Sequence, residues 1–363
     1  MRPVIIGGGL AGGAAAARLA SRGQPPLLLE REAGSHDKVC GEFLSVEAGR
    51  HLAALGFDVA RLGGSRIDTM RFHAGKRTAA ARLPFVATGV TRRILDTALL
   101  DHAAALGAEV RRDTPVRHIA HGRAVTDTGA VDGGALLLAT GKHDLRGQPR
   151  DTTGTIAGLI GFKQFFRATP ALTQRLAGAV EVTVFDGGYA GLQAVENGRL
   201  NLCLLIDAAR YKALGSWEAL FARLVSEPGL APLADAEQLL AKPLGIAAVP
   251  YGYLAPPADA LWRLGDQAAV IPSFCGDGMA IALHSGRLAA DMLADGAAAP
   301  AYQGRLRGDV ARQVRLATGL QRFGSTATGR FALIAGLGAL PAALAALARW
   351  TRVEPQALAA AGV

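Results

Sequence analysis

The sequence predicts an α/β protein: a parallel-sheet domain interrupted by an antiparallel sheet and followed by a helical C-terminus. Three observations predict it. A glycine-rich turn joins an apolar strand to a small-residue helix at the very start. Short apolar runs separated by turn residues occupy the middle of the chain. A second glycine turn, Gly276-Asp277-Gly278, leads into a late helix.

The first strand is Arg2-Pro3-Val4-Ile5-Ile6, and it runs into Gly7-Gly8-Gly9-Leu10-Ala11-Gly12-Gly13. The small-residue helix Ala14 to Ala20 follows and stops at Gly23, a helix-ending glycine. A second strand, Leu27-Leu28-Leu29, ends in the acid Glu30. This is G-x-G-x-x-G in its βαβ setting, the Rossmann-like arrangement that binds a dinucleotide. Gly7 permits the tight turn, Gly9 lets backbone approach a pyrophosphate, and Gly12 lets the helix lie close to the strand. The helix N-terminus, with Leu10 and Ala11, offers unpaired N–H groups and a partial positive charge to phosphates. Glu30 stands where an acid accepts hydrogen bonds from an adenosine ribose, with Arg31 beside it.

Val46 to Leu55 and Arg93 to Leu106 have helical spacing and end at Gly56 and Gly107. Ala135 to Ala139 is a continuous apolar run of strand length, suited to a central parallel strand. From Gly158 the texture changes. Segments 158–163, 182–185, 192–195 and 202–206 are strands separated by turns such as Asp186-Gly187-Gly188, and Trp217 to Val225 is a helix. The expected domains are therefore 1–157 plus 255–320, an antiparallel-sheet domain over 158–254, and C-terminal helices over 321–363.

With 363 residues, half of them apolar, the chain can bury a large core. Its net charge of +9 is scattered as single residues, not gathered in the stripe that nucleic acid requires, so no nucleic-acid partner is expected. Cys40, Cys203 and Cys275 share no metal-type spacing, and no metal site is expected. His118 and His121 read as a solvated strand-turn edge. A strand beginning at residue 2 leaves no room for a signal peptide, which points to the cytoplasm.

Asp266, after Leu264-Gly265, ends a strand and can accept hydrogen bonds from sugar-alcohol hydroxyls. Gly276 to Gly278 then opens a second helix N-terminus, beside Met279. A flavin uses such a device, because its N1–C2=O edge gains negative charge on reduction.

Gly7 to Gly12 with Glu30, Lys38-Val39-Cys40-Gly41-Glu42, Arg92 ahead of Leu95-Asp96, Gly265-Asp266, and Pro272 to Met279 together resemble the geranylgeranyl-reductase-like branch of FAD-dependent oxidoreductases. That branch shares its fold with the class A flavin monooxygenases. The resemblance covers roughly residues 1–320. It implies a glutathione-reductase-type FAD domain, with Gly7, Gly9, Gly12 and Glu30 on the ADP half. It places Arg92 and Asp266 at the pyrophosphate or ribityl chain, and Gly276, Gly278 and Met279 at the pyrimidine edge. Lys38, Cys40, Gly41 and Glu42 would line the flavin loop, and the antiparallel sheet would cover the substrate.

Two departures bear on the reaction. Where the monooxygenases carry Ala-Asp-Gly, this chain reads Ala139-Thr140-Gly141, which argues against direct reduction by NAD(P)H; a transient NAD(P)H site helped by Lys142 and Arg146 is the alternative. No Trp-x-Trp-x-Ile motif and no second G-x-G-x-x-G occur. The expected function is an FAD-dependent oxidoreductase acting on a hydrophobic polyketide-, phenol- or isoprenoid-like molecule, with flavin monooxygenation leading. A dehydrogenase or ene-reductase and a non-redox flavin-fold binding protein are the rivals. Cys40 and Glu42 are the candidate catalytic groups, Glu42 on condition that burial raises its pKa. Phe331 to Ala348 carries no charge and is expected to form two short helices packed on the flavin domain, with peripheral membrane contact as the alternative.

Overall fold

The computed structural model describes residues 1–326 together with Gly329 and Arg352. A five-stranded parallel sheet runs in the order Trp262–Arg263, Leu136–Leu138, Val4–Ile6, Leu27–Leu29 and Glu109–Arg111. Its three central strands are buried along their whole length, as expected for strands covered on both faces. The first helix spans Leu10–Ser21, so it starts earlier than its alanine run suggested and takes Gly12 and Gly13 inside. Propensity disfavours glycine there, and close packing overrides it. A Cβ on Gly12 would lie 1.9 Å from the Gly7 carbonyl oxygen. The late helix Gly278–Ala294 crosses this helix at another such notch, where a Cβ on Gly286 would lie 2.2 Å from the Ala11 oxygen.

The second sheet has eight strands, in the order Leu244–Ala247, Leu159–Arg167, Arg199–Asp207, Gly188–Ala194, Gly178–Phe185, Ser65–Ala74, Arg77–Gly89 and Phe43–Leu44. It departs from the expected boundaries. Three of its strands come from residues 43–89, assigned above to the FAD-binding part, and Gly178–Phe185 pairs with Ser65–Ala74 in parallel. The reason is chemical. Arg77–Gly89 carries Arg, Thr and Ala with half-exposed and exposed positions alternating, so it lacks the strong apolar face that marks a strand in sequence. A three-stranded hairpin sheet, Val116–Ala120, Arg123–Thr126 and Gly129–Val131, holds His118 on its edge and His121 in its turn, as expected.

Alternation along the large sheet separates two cores. Phe162, Phe166, Leu202, Leu204, Ile206 and Leu192 pack against the helix Trp217–Val225 on one face. The opposite face carries Gly161, Lys163, Tyr189, Gln193, Asn201 and Cys203, in register across adjacent strands and turned toward the FAD-binding part.

The helix Ala299–Ser325 closes the described chain. No helix among the described residues is long and apolar enough to cross a membrane. The Phe331 to Ala348 segment, and with it the expected pair of short helices, lies outside the described residues.

Where the helix Val46–Ala53 meets Gly278–Ala294, His51 is wholly buried. Arg287 donates to its Nδ1 at 3.0 Å, and the His284 ring lies 5.3 Å away. Burial, then the charges of His284 and Arg287, push the His51 pKa from its ordinary 6.5 to about 3. An unfolded chain takes the proton first as pH falls below 6.5, so stability drains away between about 6.5 and 3. At about 1.4 kcal/mol per pH unit, this one group is worth on the order of 5 kcal/mol. His51→Gln is expected to flatten the fall of the urea midpoint between neutral pH and pH ~4. An unchanged slope would assign the acid sensitivity elsewhere.

Candidate active site

Helix starts single out the site. Among the described residues, five of the eight α-helices are capped by a side chain: Ser45, Thr91, Thr169, Asp207 and Ser216. The helices Leu10–Ser21 and Gly278–Ala294 both open from glycine turns without a side-chain cap. Their first N–H groups are left for a ligand, and the two helix ends offer partial positive charge at two separate points.

At the first of these, Gly9 has an extended backbone, and a Cβ there would face Arg92 Nη2 at 3.4 Å and Lys38 Nζ at 3.8 Å. Arg92 binds Asp96 through Nε at 2.6 Å and Nη2 at 2.8 Å, and Lys38 binds the same carboxylate at 2.7 Å. Two cations thus share one anion beside a bare glycine, leaving one positive charge in excess where a pyrophosphate would lie. Glu30 is buried; its Oε2 accepts from Gly8 N at 2.5 Å and its Oε1 from Glu32 N at 2.9 Å. It borders a narrow cleft with Ser35, His36, Lys38 and Leu100, on the side where the sequence expects the adenosine ribose. Arg31 lies outside this group, exposed and paired with Glu32 at 3.0 Å.

Around the second helix start, Gly276 holds φ +68 against Phe43, Gly278 faces open space, and Met279 is buried in the first turn. Asp266 sits half-buried just past the edge strand Trp262–Arg263, and its backbone oxygen accepts from Arg150 at 2.8 Å. Gly141, at φ +64, lies in the turn past the neighbouring strand Leu136–Leu138, and its carbonyl accepts from Gln267 at 2.8 Å. Thr140 donates to the His143 carbonyl at 2.7 Å. A bare phosphate cradle, a buried acid under the adenosine cleft and a second unclaimed helix start fit an extended dinucleotide carrying a flavin.

The loop Cys40-Gly41-Glu42 lies between this cradle and the large sheet. Cys40 is half-buried, and its Sγ accepts from Glu42 N at 3.4 Å. Gly41 is exposed, with open space where a Cβ would stand. Glu42 has no exposure at all and is ion-paired with Lys163, which is equally buried. Burial raises its pKa to about 7 against the pull of Lys163, which meets the condition set for it. Its carboxylate has no exposed surface, and its partners are Lys163 and the Arg92 backbone N–H. Lys163, Gln193 and Asn201, which hold this loop, were not found in the sequence. The signal was a lysine, with Gln164 beside it, inside the aromatic-rich strand Gly161-Phe162-Lys163-Gln164-Phe165-Phe166.

These features define a flavin-dinucleotide enzyme, and comparison with known proteins agrees. The model of the FAD binding domain family matches residues 2–134. Over 326 residues the chain is 29% identical to a menaquinone reductase of Mycolicibacterium smegmatis, covering 81% of this chain and 76% of that one. The crystal structure of the halogenase PltM, solved also with phloroglucinol and FAD, superposes with a TM-score of 0.75 at 16% identity, over 89% of this chain and 76% of that one. Pseudomonas aeruginosa PqsL, in complex with 2-aminobenzoylacetate, gives a TM-score of 0.73 at 16% identity, over 94% and 100%. The protein is an FAD-dependent oxidoreductase, and it shares the fold of the PltM and PqsL structures.

Asp266→Ala is expected to weaken FAD binding roughly tenfold, about 1.4 kcal/mol, with little effect on the unfolding midpoint of the apoprotein. Its carboxylate is half-buried and supports no core packing. Titration of the apoprotein with FAD checks this, and unchanged affinity would move that contact to another residue.

Proposed function

We propose that the protein is a flavin-dependent reductase, or a dehydrogenase in the reverse sense, of a hydrophobic molecule of the isoprenoid-bearing quinone or phenol type. The observation that carries this reading is a chain of hydroxyls where the large sheet meets the late glycine turn, on what would be the substrate wall. Tyr189 and Ser273 share a hydrogen bond at 2.9 Å, and Ser273 donates to Tyr251 at 3.3 Å, which leaves the Tyr251 proton free to be given away. Burial raises the pKa of both phenols, so each stays a donor; the Lys142 ammonium opposes that rise at Tyr251. Lys142 is anchored on the Val39 carbonyl at 2.6 Å and interacts with Tyr251, Cys40 and Cys203.

Bound FAD supplies hydride exchange with a substrate carbon. Tyr251 would supply the matching proton, with Ser273 and Tyr189 refilling it from the half-exposed end of the chain. Leu159, Ile246 and Phe274, half-buried against the main core, would offer a substrate apolar surface there. Two free thiols, Cys40 and Cys203, belong to the same wall, and burial pushes Cys203 up to about 12, so it remains a neutral thiol. Reduction is preferred in this proposal over the oxygenation expected above. The menaquinone reductase relative supports the same choice, and the narrower likeness to geranylgeranyl reductases is part of this proposal.

The test is anaerobic. Chemically reduced enzyme is mixed with a menaquinone that carries its isoprenoid tail, while the visible flavin absorbance and the product mass are followed. Return of oxidised flavin with a product two hydrogens heavier is expected. Return only after oxygen is admitted, with a product one oxygen heavier, would establish a monooxygenase instead. Free NADPH is expected to reduce the flavin slowly, because hydride transfer needs a nicotinamide held about 3–3.5 Å from its acceptor. Thr140 replaces the acid of the monooxygenase motif, and Lys142, one of the two basic residues suggested for a transient site, is engaged at Val39.

A further inference from the structure

Lys163 is the only fully buried lysine among the described residues, and nothing in the reaction outlined above uses it. Its ammonium lies over the Phe165 ring at 4.4 Å and pairs with Glu42. Glu42 holds φ +57, a left-handed conformation that a non-glycine residue keeps only when its surroundings over-determine it. Those surroundings are three adjacent strands of the large sheet. Gln193 donates to the Glu42 carbonyl at 2.8 Å. Asn201, directly opposite Gln193 in the ladder, donates to the Cys40 carbonyl at 3.2 Å and the Gly41 carbonyl at 2.8 Å. Lys163, on the third strand, takes the side chain. Every residue of the tripeptide is therefore held from the sheet.

The Glu42 carboxylate also reaches the other way. Its Oε1 accepts from the Arg92 backbone N–H at 3.0 Å, at the start of the helix Arg92–Ala105, and the Arg92 guanidinium lies against the bare face of Gly9. A continuous path runs from the sheet through Lys163 and Glu42 to the arginine beside the pyrophosphate cradle. We propose that Lys163 and Glu42 form a buried charge clamp, with Gln193 and Asn201 as its side ties, through which the substrate-covering sheet positions the flavin loop and Arg92 and so sets the affinity for FAD. Both are positioning residues, and the clamp does not depend on which substrate the enzyme takes.

A pair that only stabilised the fold would change the unfolding midpoint and leave FAD affinity alone. Lys163→Met leaves Glu42 buried without its cation, and the apoprotein is expected to bind FAD about tenfold or more weakly in a fluorescence titration. The double variant Glu42→Gln/Lys163→Met leaves neither charge unpaired and is expected to return the dissociation constant to within about threefold of the wild type. Wild-type affinity in Lys163→Met, or a double variant no better than the single one, would overturn the clamp. Should Lys163→Met fail to fold, Asn201→Ala carries the test, because it frees two carbonyls and strands no charge. Its apoprotein is expected to be cut by trypsin after Lys38 about tenfold faster at an unchanged unfolding midpoint. An unchanged cleavage rate would equally reject the proposal.

Discussion

Gly9→Val is expected to give a folded, colourless protein. The Gly9 backbone is extended, with φ −80 and ψ −170, which valine adopts without strain. A Cβ there meets nothing closer than the end of the Arg92 side chain at 3.4 Å, a flexible neighbour that can yield. The apoprotein should therefore unfold within about 1 kcal/mol of the wild type, the range of a tolerated substitution. The same side chain would stand between the two cations and the pyrophosphate. FAD affinity should fall by a factor of 100 or more, about 2.7 kcal/mol. Gly12→Val is the control with the opposite outcome. A Cβ at Gly12 lies 1.9 Å from the Gly7 oxygen, so the helix cannot dock on its strand, and the chain should fail to fold. Co-purified flavin, measured by visible absorbance, and urea midpoints separate the two. Full flavin occupancy in Gly9→Val would mean that this loop does not hold the cofactor.

The nucleotide half of the molecule is legible because its signals are local. The apolar strand, the glycines and Glu30 fall within one βαβ unit, and the late glycine turn sits directly against its helix. What the sequence misplaced there is the helix start. Gly12 and Gly13 read as turn, and only the closeness of Gly7, Ile5 and Leu99 explains why glycine stands inside a helix. The large sheet was half legible. Its four central strands from 178–207 and 159–167 carry alternation strong enough to read, but their pairing with Ser65–Ala74 joins segments distant in sequence, and no local pattern encodes that. The functional wall was least legible. Lys163 looks like an ordinary strand lysine until its burial is known, and Ser273 gains meaning only when Tyr189 and Tyr251 arrive from different parts of the sheet region.

Tyr251→Phe should separate proton delivery from cofactor binding. The substitution removes one oxygen from a side chain that is 4% exposed and keeps the ring that packs in the core. The lost hydrogen bond is the one Ser273 donates, and that hydroxyl can turn to its other partner, Tyr189, so stability should fall by no more than about 1 kcal/mol. FAD content and visible spectrum should remain those of the wild type. If Tyr251 gives the proton that accompanies hydride transfer, the anaerobic reoxidation of reduced flavin by substrate should slow by about 10²–10⁴. Lys142 bears on the same step from the other side, because its positive charge favours the phenolate left when the proton has gone. Lys142→Met should therefore slow the same step; because its ammonium also anchors the Val39 carbonyl of the flavin loop, the rates are compared on fully FAD-loaded protein. A Tyr251→Phe enzyme that reoxidises at the wild-type rate would remove Tyr251 from the reaction, and with it the observation on which the reductase reading stands. A rate loss in Tyr251→Phe with none in Lys142→Met would keep the tyrosine as donor and reduce the lysine to an anchor of the Val39 loop.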